Sequence, residues 1–326
     1  ILTRNGGIVN FNSPAVVTAN GGPALNLENT TGTTNNVAGS GFTFLNINST
    51  ASTSNGIRLH NLNSDFRATG LTTINAAAGS SISITDDQVP PGVYDIRFND
   101  TIIASRLSTG VFVDGINGEV QFANLNVDNA NGAAGPAVRV QNTTNPLDPT
   151  GPGSGLVSVN AGLISNTFGN GVEVSNGLAN ILNTTIDGST ANAVYLTAGT
   201  GQQTTVLIQG ASLTGSAIDG VRVEATGTGV VNATVLNTLI DAAFNPITAT
   251  VFSPTADISL NASGNFGAAG PPGVGAITLN NGAGGLLIID QASTADLSTA
   301  NNAAPVAAVG IISTGGTTPT PPPPSP

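Results

Sequence analysis

The only adjacent acids in this chain are Asp86 and Asp87, in TDDQVPPGVYDIRFND (residues 85–100), and the same stretch adds Asp95, Arg97 and Asp100. Several carboxylates brought together from neighbouring strands can hold Ca²⁺, and a basic residue beside them can take a proton from a substrate. Asp86 and Asp87 are the Ca²⁺ candidates of such a site; solvated loop carboxylates are the plainer reading of the same residues. The lone histidine, His60 in IRLHN, lies upstream of the pair. With no Cys, neither thiol chemistry nor a disulfide framework is available, and the chain has no Lys. Gly-x-Gly stretches such as GNG at 169–171 lack the strand-to-helix context of a phosphate loop.

A second set of chemistry-bearing residues is periodic. A small residue followed by an apolar-x-apolar triplet recurs as ALNL (24–27), GIRL (56–59), SISI (81–84), GVFV (110–113), AVRV (137–140), GVEV (171–174), AVYL (193–196), GVRV (220–223), PITA (246–249) and AITL (276–279). Such alternation is the two-residue period of a strand with one buried face. The middle residues then share the other face, a column containing Arg58, Phe112, Arg139, Glu173, Tyr195 and Arg222. Stacked neighbours would set Arg139 beside Glu173 for ion pairing and Tyr195 beside Arg222 for a cation–π contact. Cross-strand pairing that relieves charge crowding is the simple reading of that column; a face for glycan or another subunit is the functional one.

Between successive later triplets the spacing runs 27, 34, 22, 27, 26 and 30 residues, which fits fixed strands joined by variable loops. Most coils carry a second motif with a central Asn, as in FANLNV (122–127), SVNAGL (158–163), ILNTTI (181–186) and VLNTLI (235–240). Asn tolerates the left-handed conformation that a bend between two strands needs. Stacked at about 4.8 Å, successive Asn amides can also bond to one another. These spacings predict a parallel β-helix of about ten coils, roughly 50 Å long, with an Asn ladder of Asn124, Asn160, Asn183, Asn237 and Asn261. Of the Asn-x-Ser/Thr matches, those at Asn183 and Asn261 would then point inward.

This strand–turn–strand–Asn grammar, and the stretch VTANGGPALNLENTT followed by GSGFTFLNINSTASTSNGIRLHN, resembles right-handed parallel β-helices of the pectin-lyase-like superfamily. It is similar in particular to the repeats of large bacterial adhesin and autotransporter passengers. The resemblance covers about residues 15–312 and implies right-handed coiling. Enzymes of that superfamily resembling polygalacturonases carry Gly-His-Gly and Arg-x-Lys motifs, and this chain has neither. A lyase or hydrolase acting on polysaccharide near residues 85–100 stays as the alternative to a non-enzymatic structural or adhesive rod.

Composition narrows the remaining classes. Hydrophobic residues at 39% supply a core, while aromatic residues at 4% and no Trp predict one built from small and branched side chains. Helices are not expected amid so many Gly, Asn, Thr and β-branched residues. A net charge of −11 repels phosphate backbones and anionic headgroups, which argues against nucleic acid as a partner. No apolar run approaches the roughly 20 residues of a membrane span. The expected organisation is one all-β unit over residues 1–314 and an extended Pro/Thr-rich spacer over 315–326. Two interruptions are expected, an extra strand with a Pro-Pro turn in 85–108 and a corner loop in 142–155. The start ILTRNGG suggests a processed product or a fragment. Neither end shows a capping amphipathic helix, so end-to-end contact with another copy or with further coils is expected, in an extracellular or cell-surface setting.

Overall fold

The computed structural model describes residues 1–4, 8–11, 14–34, 41–88, 94–105, 107–128, 135–143, 155–267 and 275–323. Each triplet becomes a strand of four or five residues, and these stack in parallel as one twelve-stranded sheet running in chain order from Leu2–Arg4 to Val306–Gly310. The alternation sends Ile57, Leu59, Val111, Val113, Val172 and Val174 into the core at no more than 1% exposure. The chain is thus an all-β parallel solenoid of about ten coils, and the middle-residue column lies in unbroken register from Asn26 to Thr278.

The second sheet has sixteen strands. Early coils contribute long strands, Phe42–Thr50, Phe66–Asn75, Asp95–Ala104 and Glu119–Asp128. Glu119–Asp128 then pairs with two short strands at once, Leu156–Val159 and Gly162–Ser165, and later coils keep a corner at that place. Asn183, Gly210, Asn237 and Gly264 form this corner in successive coils, with φ of 51, 63, 49 and 70°. The alternation of Asn and Gly has a steric cause. A methyl on Gly210 would lie 2.6 Å from Asn183 Oδ1, and one on Gly264 would collide with Asn237 Oδ1.

The expectation of a core without aromatic rings holds for only half of the rod. Phe44, Phe66, Phe98 and Phe122 stack through the early coils with centroids 5.4, 5.2 and 5.1 Å apart, the last pair nearly parallel. In register with Phe122, the later coils place Val159, Ile181, Ile208 and Val235 instead.

Three expectations about layout change. Segment 85–108 is no interruption, because Asp95–Ala104 pairs in parallel on both sides with the neighbouring long strands; the Pro-Pro turn lies within 89–93, outside the described residues, as does most of the 142–155 loop. A helix is present: α1, Thr294–Ala300, fills one side of the last coil. Ser293 accepts its first-turn N–H from Asp296, and Leu297 is fully buried, so STADLSTA has the local signals of a capped turn. Residues 315–323 do not leave the rod as a spacer but return along its side, where Thr318 bonds Asp290.

Candidate functional site

The twelve-stranded sheet positions the column by register alone, since each residue there sits at the same place in its coil. Arg58 reaches Glu28 Oε2 at 2.7 Å and Asn26 Oδ1 at 3.2 Å. Arg139 pairs with Glu173 at 2.9 Å, and Asn170 donates to the same carboxylate. Phe112 lies half-buried between Ser83 and Arg139. Tyr195 and Arg222 are neighbours in register, but their side chains meet through Glu224 rather than face to face. The Tyr195 hydroxyl donates to Oε2 and Arg222 Nε to Oε1, both at 2.6 Å, while Arg222 Nη1 is 3.4 Å from Asp219. The expected cation–π pair is replaced because a carboxylate two residues along the strand offers both donors a charged acceptor.

These contacts shift the titrating groups. Partial burial first, and then the bond to the Glu224 carboxylate, push the Tyr195 phenol up to about 12. Burial pulls the Arg222 guanidinium down, but Glu224 and Asp219 outweigh it and the net shift is upward. Glu224 and Asp219 therefore hold Arg222 in its charged form.

Around residues 85–100 the acids do not converge. Asp86 is buried and accepts from the Tyr94 hydroxyl at 3.0 Å and from the Gln88 N–H at 2.9 Å. Burial and the Asp86 charge push the Tyr94 phenol up. Asp87 turns the other way, exchanging two hydrogen bonds with Asn61, and lies 3.7 Å from His60 Nε2. Asp95 lies 3.7 Å from Arg97, and Asp100 accepts from Asn124. Asp86, Asp87, Asp95 and Asp100 thus serve four separate local contacts. No group of three or more acidic or imidazole side chains that could hold a metal occurs among the described residues.

The Asn ladder exists, at other residues than expected. Asn192 Nδ2 donates to Asn170 Oδ1 at 3.0 Å, Asn192 Oδ1 accepts the Asp219 N–H at 3.2 Å, and Asn245 Nδ2 donates to Asp219 Oδ1 at 3.2 Å. A second run joins Asp114, Asn142 and Asn176. Of the five candidates, Asn183 and Asn237 are exposed left-handed corners, Asn160 is exposed, Asn124 bonds Asp100 and Asn126, and Asn261 accepts from Gln291. Asn183, an expected inward residue, faces solvent because the corner turns its side chain out. Two sequence signals would have located the real runs. One is the Asn or Asp two places before a triplet (NGV, NAV, DGV, NPI at 170, 192, 219 and 245), and the other is the Asn closing LNLEN, IRLHN, VRVQN and VEVSN. No protein-family model, curated protein or solved structure matches the chain.

Proposed function

We propose that this chain is a stiff, non-enzymatic rod working outside the cell or on its surface, as a stalk, fibre subunit or adhesin passenger, and that it stacks end to end. The observation that carries this reading is the mutual pairing along the flank. Arg58, Arg139 and Arg222 each bond an acid of their own or an adjacent coil, so the charged groups reinforce the stack instead of converging on a substrate. The resemblance to pectin-lyase-like bacterial surface repeats points the same way. Adhesion would use the flank itself, where half-buried Phe112 and Tyr195 and the guanidinium faces suit a surface glycan. No cofactor enters this reading.

Stacking is favoured by the last strand of the flank sheet. Val306–Gly310 carries no charge, pairs on one side only, and leaves Val309 and the following Ile311 58% and 82% exposed. Natural sheet edges are usually blunted by charge or Pro; here Pro305 stands just before the strand, but Val306–Gly310 itself contains neither. Electron microscopy of the full chain tests the rod and its stacking. Filaments with an axial repeat near about 50 Å are expected; isolated short rods would reject stacking. Cleavage of an acidic polysaccharide that needs Ca²⁺ and is lost in Asp86→Asn would overturn the non-enzymatic reading.

A further inference from the structure

The outward face of the second sheet should be wet, yet part of it is dry. Leu178, Asn180, Thr205, Asn232 and Thr234 alternate with core residues and so point away from the core, but none is more than 3% exposed. Leu178 is buried without belonging to the core cluster. The chain's own C-terminal segment lies across this face. Gly316 packs on Ile288, Thr318 donates its N–H and hydroxyl to Asp290 at 3.1 and 2.6 Å, and Pro321 is buried. Asn180 Nδ2, four strands back from Leu286–Ile289, donates to the Pro322 carbonyl at 2.8 Å.

A run of prolines offers carbonyls and no N–H, and it is already extended before it binds. A surface that recognises it must supply donors between shallow apolar steps. This face has both. The row through Ser158, Asn180, Leu207 and Thr234 is in register from coil to coil. Asn180 Nδ2 is the donor that meets a proline carbonyl, while Ser158 Oγ and Thr234 Oγ1 stay buried without a partner even with the segment in place.

We infer that the outer face of the second sheet, centred on Asn180, is a recognition groove for an extended proline-rich segment, and that its occupant is the segment 316–323 of the same chain. Asp290 and Asn180 are the two fastening points, and the segment acts as a strap over the later coils. This goes beyond the rod reading and stands or falls separately from it.

Because the chain has no Cys, spin labels at Thr320→Cys and Asn183→Cys report docking in the full-length protein. A short, narrow distance distribution that broadens on Asp290→Ala is expected; a broad distribution in the unaltered background would overturn the strap. A second measurement asks whether the face recognises the segment or merely lies near it. In full-length chain with Thr318→Ala, Pro321→Ala, Pro322→Ala and Pro323→Ala, which also removes the tail's own hydroxyl bond to Asp290, added fluorescent peptide TTPTPPPPSP should bind, and Asn180→Leu should weaken that binding about tenfold. A released chain that binds no peptide would overturn the groove, leaving only the tether. Asn180 points away from the core, so unchanged circular dichroism should accompany the loss.

Discussion

Glu224 shows how much a single carboxylate decides at the residue scale. It takes the hydroxyl of Tyr195 from one coil and Nε of Arg222 from its own strand, and so joins two coils through one side chain. The phenol is held protonated up to about 12, against about 10 in the unfolded chain. A group whose folded pKa is raised contributes stability that is complete below the unfolded value and is lost as pH rises through the folded one. Stability should therefore fall between about pH 10 and 12, and Tyr195→Phe should make that fall shallower. Urea unfolding across this range checks it. An identical slope in the variant would show that titration of the Tyr195 phenol does not contribute to the loss.

At the scale of elements, the ladder asks for a contrast between two asparagines. Asn192 is buried and accepts the Asp219 N–H, so Asn192→Leu orphans a buried donor and should cost about 1–3 kcal/mol. Asn160 is exposed and belongs to neither ladder run, so Asn160→Leu should stay within about 0.5 kcal/mol. Because a solenoid couples mainly nearest neighbours, the Asn192→Leu loss should speed hydrogen exchange in Val172–Ser175, Val194–Ala198 and Val221–Ala225 and leave the Phe98 region untouched. Uniform acceleration along the whole chain would contradict this. The triplets could be read because a two-residue period needs no knowledge of the partner strand. The ladder could not, because Asn is frequent in this chain and only register across loops of unequal length decides which amides meet.

For the whole molecule, charge and edge work against each other. A net charge of −11 makes copies repel at low ionic strength, while the uncharged strand Val306–Gly310 offers backbone groups and apolar side chains for contact. Raising salt from about 10 mM to about 0.15 M shortens the screening length from about 30 to about 8 Å. Association through the end should therefore grow over that range, read as a rising weight-average mass in sedimentation equilibrium. Mass that stays monomeric or falls with salt would remove end-to-end stacking and leave a single rod.

What the sequence determined by itself was the coil. Apolar-x-apolar triplets can bury one face only as strands, and their return with variable spacing can be satisfied only by stacking, so the flank column Asn26, Arg58, Phe112, Arg139, Glu173, Tyr195 and Arg222 followed directly. Only the tertiary structure decided which side chains answer one another across coils. It put Glu224 between Tyr195 and Arg222, separated Asp86 from Asp87, moved the ladder to Asn170, Asn192, Asp219 and Asn245, and laid Pro322 on Asn180. The physical reason is common to all four. Burial pattern is a local property of alternation, whereas a hydrogen-bond partner one coil or 142 residues away is set by register and by the path of loops, which alternation does not encode.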